Sequence, residues 1–82
     1  MAGKVRPPRE LLEEWEREDE EAREIRRRSA DWDFIERQPP RLRLALIVYI
    51  ETGDPYKAAR IAGVTLDEFN ELRMKAGIPS IT

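Results

Sequence analysis

The stretch that decides the fold is Tyr56–Ile78, YKAARIAGVTLDEFNELRMKAGI. It reads as a helix, a tight turn and a second helix. Two helices that cross steeply through a short turn need a small residue at the crossing, supplied by Ala58 or Ala59. They also need a turn residue that tolerates positive φ, and Gly63 meets that need. Ile61, Val64, Phe69 and Leu72 then seal the pair against whatever precedes it. Thr65-Leu66-Asp67-Glu68 is a capping box, with Thr65 bonding forward and Glu68 reaching back. Gly77, with Pro79 just beyond, marks the end of the second helix.

Upstream, Asp54-Pro55 starts the first of these helices: an N-cap acid followed by proline at the first helical position. Pro39-Pro40 stops the segment before it. A helix is expected from Pro40 to Thr52, closed by Gly53, and the run LRLALIVYI should bury more than one of its sides. A strand is the rival reading, because Arg41 and Arg43 alternate with Leu42 and Leu44 and β-branched residues follow. Such a strand would pair across a dimer and offer Arg41 and Arg43 to a DNA groove.

The first half is chemically different. Residues 1–38 carry nine Lys/Arg and twelve Asp/Glu and few apolar residues, so the core must come mainly from the residues after Pro39. A core that small is marginal alone. Residues 1–8 read as a flexible tail and 9–38 as a charged helical segment, with acids early and arginines late in the sense that suits a helix dipole. Leu11, Trp15, Ala22, Ile25 and Trp32 fit a heptad seam that Glu18 and Ser29 interrupt. Ser29-Ala30-Asp31 could end one helix and cap another over Trp32–Gln38. The fold expected is therefore all-α: a small helical bundle with a three-helix helix-turn-helix domain over 39–82 and a long charged N-terminal helix.

Composition excludes several functions. The 82 residues include no cysteine and no histidine, which removes disulfides, zinc sites and Cys or His catalysis together. No enzyme activity and no cofactor are expected. The longest apolar run, Leu44–Ile50, is too short to span a membrane. The high charge, the preference for Arg over Lys and the scarcity of amides (Asn70 and Gln38) resemble a thermophile cytoplasmic protein.

The block LALIVYIETGDPYKAARIAGVTLDEFNELRMKAGIP, over 44–79, resembles the C-terminal part of small prokaryotic and archaeal antitoxin-like proteins of toxin–antitoxin pairs. Lys57, Ala58, Ala59, Ala62, Gly63, Glu68, Phe69, Leu72, Gly77, Ile78 and Pro79 carry the likeness. It covers about the last 40 residues and implies a helix-turn-helix fold with an autoregulatory antitoxin role. The N-terminal half shows no counterpart of a dimerisation strand.

DNA binding needs cations near phosphates. The candidate contacts are Arg41, Arg43, Lys57, Arg60, Thr65, Asn70, Arg73 and Lys75, with Asn70 able to pair with adenine. Asp67, Glu68 and Glu71 on the same helix oppose that reading. The candidate partner surface is Trp15, Ile25, Arg26, Arg27, Arg28, Trp32 and Phe34. There the arginines could enter an acidic cleft of a cognate toxin or other protein, with the aromatics as anchors. Two blander readings stand beside it. The arginines could balance Glu18–Glu24 on a solvated face, and the aromatics could fold back onto Leu44–Ile50. Duplex DNA, a protein partner and a homodimer are thus the expected associations. A protein-interaction module without a DNA role is the alternative.

Overall fold

The computed structural model describes the backbone of residues 9–81 and, apart from Glu18, the side chains of residues 17–81. The described residues form five α-helices and no strand: α1 (Arg9–Ser29), α2 (Trp32–Glu36), α3 (Pro40–Thr52), α4 (Pro55–Ala62) and α5 (Leu66–Lys75). Residues 41–50 are helical, so the strand reading and the dimer sheet built on it are overturned. The proline start and the 13-residue length prevail over β-propensity, which mainly registers fit to a sheet surface.

Side-chain caps fix most of the boundaries. Asp31 Oδ1 accepts from the Phe34 N–H at 3.1 Å and starts α2. Asp54 Oδ1 accepts from Tyr56 and Lys57 N–H at 3.0 and 3.1 Å and starts α4. Thr65 Oγ1 accepts from Glu68 N–H while Glu68 Oε1 accepts from Thr65 N–H, which closes the capping box of α5. Gly63 and Gly77, both at φ +73°, end α4 and α5. In each case the amide of the following residue reaches back five positions, Val64 to Ala59 and Ile78 to Arg73. That pairing satisfies carbonyls the helix end would leave orphaned.

The core centres on α3. Leu46, Ile50, Phe69, Ile35 and Ile78 are its largest fully buried side chains. Each contributes about 1.5–3 kcal/mol by burial. The Tyr49 and Phe69 rings meet at a tilt, 5.6 Å between centroids. Ala58, Ala59 and Ala62 are buried on α4, where their small size lets that helix approach α3 closely. Apart from Ala30 and Ile35, the buried apolar residues described all follow Pro39. Burial of α3 is not complete all round: Leu44 is 53% exposed and Ile47 36%.

The two halves of the chain are joined where α1 meets the end of α3 and again at the turn after α5. The Asp31 N–H donates to the Ala76 carbonyl at 2.8 Å. A Cβ on Gly77 would stand 3.2 Å from the Ser29 carbonyl oxygen. The turn after α5 therefore docks on the α1–α2 junction. Gly77 is needed there both for its positive φ and for the close approach.

Candidate nucleic-acid and partner interfaces

The eight candidate DNA contacts separate into two groups. Arg41, Lys57, Arg60 and Lys75 are exposed. The Arg41 guanidinium lies beside the turn, with Nη1 3.4 Å from where a Gly63 Cβ would be. Lys57 and Arg60 stand one turn apart on α4, on the approach to that same glycine. Arg41 and Arg60 thus bring positive charge to the carboxyl end of α4, where the helix dipole favours it.

The other four are engaged within the fold. Arg73 donates from Nη1 to the Ile78 carbonyl at 2.7 Å and from Nε to Asn70 Oδ1 at 3.4 Å. Its guanidinium also lies 5.9 Å from the centroid of the Tyr49 ring. It fastens the turn after α5, and in doing so it occupies the amide oxygen of half-buried Asn70. Thr65 is held by the capping box. Arg43 is half-buried; its Nη2 reaches toward the Gln38 carbonyl at 3.5 Å, and its Nε is buried without a partner among the described residues. The exposed positions of α5 include Asp67, Glu68, Glu71 and Met74, together with Lys75.

The three successive arginines of α1 also divide. Arg26 is buried, and its Nε donates to the Ile50 carbonyl at 2.8 Å. Arg27 donates to Glu51 Oε2 at 2.8 Å, and that bond with its opposite charge raises the Arg27 pKa above its ordinary value. Arg23 joins them through Nε to the Glu51 carbonyl at 3.1 Å. Together these side chains cover the carboxyl end of α3, whose last carbonyls have no partner inside the helix. Arg28 is exposed. The triplet is thus neither one presented cluster nor a uniformly solvated face.

Of the apolar anchors, Ile25 and Trp32 are each 40% exposed. The Trp32 indole N–H donates to the Arg27 carbonyl at 3.0 Å. Phe34 is half-buried against the core. Trp15 lies outside the described side chains.

Three residues carry roles that the sequence did not indicate: Glu51, which binds Arg27; Gly53, where a Cβ would stand 3.1 Å from Arg26 Nη1; and Tyr49 beneath Arg73. Only Gly53 carried a signal, as a helix stop. Among the described residues there is no cluster of Asp or Glu suited to a metal ion and no helix long and apolar enough to cross a membrane. No protein family, curated protein or solved structure matches the chain.

Proposed function

We propose that this chain is a small helix-turn-helix regulator of antitoxin type. Its α4–α5 corner contacts duplex DNA, and its N-terminal helix engages a protein partner. The observation that carries the DNA half is Arg41 beside the Gly63 turn, together with exposed Lys57 and Arg60 one turn apart on α4. These cations sit on the first helix of the corner and beside the turn, so they suit phosphate contacts that position a protein on the duplex without reading bases. Lys75 adds a fourth cation at the far end of α5. Arg43, Arg73 and Thr65, engaged within the fold, stand outside this contact set, and Asn70, whose amide oxygen bonds Arg73, offers a base its NH2 alone.

The test is the salt dependence of binding to duplex DNA. Each phosphate contact contributes about 0.9 to the slope of log affinity against log salt. Replacing Arg41, Lys57 and Arg60 by Ala lowers that slope and weakens binding evenly across sequences. Absence of any affinity at about 50 mM salt, where phosphate contacts are strongest, defeats the DNA reading.

A second reading, a protein-interaction module with no DNA role, is favoured by one observation. The outer surface of α5 offers Asp67, Glu68 and Glu71 beside Met74, which is 63% exposed. Acids there repel phosphate. The same titration separates the two readings.

A further inference from the structure

α5 carries a second face besides the one it turns to the core. Glu68, Glu71, Leu72 and Lys75 follow the i, i+3, i+4, i+7 spacing that puts residues on one side of a helix. With Leu42 of α3 and Val64 of the turn they line an open cleft of about 250 Å³. Leu42, Val64 and Leu72 are half-buried and packed against the core. The surface they leave accessible floors the cleft, and exposed Glu68, Glu71 and Lys75 rim it.

The charge on this rim is not consumed within the fold. The ion pairs among the described residues lie within α1 or between α1 and Glu51. Glu71 and Lys75 stand in the order that suits a helical i,i+4 pair, yet they are not among them. Glu68 gives one carboxylate oxygen to the Thr65 N–H, which holds the group in place without neutralising it. The cleft therefore joins an apolar floor to two carboxylates one helical turn apart.

Size and shape select the occupant. The volume lies below the roughly 300–1,000 Å³ of a small-molecule pocket; it suits an apolar side chain or two. The described residues form no strand, so a peptide has no sheet edge to extend. The floor has no aromatic residue on which a proline-rich segment could dock. An amphipathic helix laid in a groove is the mode that remains, and complementarity to Glu68 and Glu71 requires it to be basic. The same carboxylates repel phosphate.

We infer that the α3–α5 cleft is a docking site for a basic amphipathic helix of another protein. That helix sets a large apolar side chain on Leu42, Val64 and Leu72 and places Lys or Arg against Glu68 and Glu71. The inference rests on the second reading above, of α5 as a protein-binding surface, and names the partner's chemistry. It holds whether or not Arg41, Lys57 and Arg60 meet DNA.

The probe is a synthetic helical peptide with a leucine stripe flanked by lysines one turn apart, added to the full-length protein. The acids of α1 attract any cation, so the place of binding is read together with its strength. Amide chemical shifts are expected to move at Leu42, Val64 and Leu72. They stay in place with a peptide that carries Glu for Lys, and with one that carries Ser for Leu. Glu71→Lys changes an exposed residue and leaves helix content intact. It weakens the lysine peptide by about fivefold, because the lost ion pair is joined by a repulsion of similar size. Glu20→Lys, the same charge change on α1, leaves the affinity as it was. Shifts confined to α1 overturn the proposal, as do equal losses at 20 and 71 or equal binding of the serine peptide. So do two other occupants: duplex DNA that moves the same amides, or a second copy, seen as concentration-dependent shifts there without peptide. Failure here leaves the second reading open through other surfaces, and the salt titration of DNA is read separately, so the failures are distinguishable.

Discussion

Arg26 is one of three consecutive arginines, and only its chain context sets it apart. Arg28 is exposed, and Arg27 pairs at the surface with Glu51. Arg26 alone is buried, donating to the Ile50 carbonyl and lying against Gly53. A charge-assisted hydrogen bond contributes about 1.5–3 kcal/mol. An ammonium cannot reproduce a guanidinium whose Nε bonds a carbonyl while the rest of the group packs on a glycine. Arg26→Lys is therefore expected to lower the unfolding free energy by about 1–2 kcal/mol, and Arg26→Ala by more. Arg28→Ala should stay within about 0.5 kcal/mol of the parent, as an exposed substitution does. Denaturant midpoints of the three variants measure this ordering, and equal effects at 26 and 28 would remove the distinction. None of it was legible in the sequence, where three arginines in a polar run look alike. The difference is made by carbonyls 24 residues further along, and no local pattern encodes that.

The helices themselves were far more legible, because their ends are set by local chemistry. Pro39-Pro40, Asp54-Pro55 and Thr65–Glu68 each declare a boundary through a proline or a side chain that bonds its own neighbours, and Gly53 and Gly63 each close a helix with positive φ. The same locality explains what was missed. The exposure of Leu44 and Ile47 depends on which sides of α3 receive neighbours, and the sequence of α3 does not contain that information. One cap also carries a pH signature. Glu68 accepts the Thr65 backbone N–H, and that bond lowers its pKa below the ordinary glutamate value. A carboxylate whose folded pKa is depressed adds stability that is fully present above the unfolded value. That stability is lost as pH falls through the folded value. Glu68→Gln keeps an oxygen that can accept the same N–H but cannot titrate. Its unfolding free energy should change less than the parent's as pH falls through the glutamate range, with near-parent stability at neutral pH. Chemical denaturation across a pH series checks this, and identical acid limbs for the two proteins would show that the capping bond is not linked to protonation.

All the packing described here converges on one small core. Ile35 from the first half, Leu46 and Ile50 from α3, and Phe69 and Ile78 from the second half are fully buried in the same cluster. A chain of 82 residues has a total stability of about 4–12 kcal/mol. Removing a buried phenylalanine ring costs about 3–5 kcal/mol, because the lost burial is joined by a cavity that the surroundings fill only partly. Phe69 is fully buried against Tyr49, so Phe69→Ala is expected to remove about a quarter or more of the whole. The loss cannot stay in the α4–α5 corner. Arg73 ties α5 to Tyr49 of α3, and the turn at Gly77 ties it to the α1–α2 junction through Ser29 and Asp31. Amide exchange in the variant should therefore accelerate together at Ile35, Leu46 and Ala58, on three helices, rather than at α5 alone. Slow exchange retained at Leu46 and Ile35 while α5 opens would show two cooperative units where the packing indicates one.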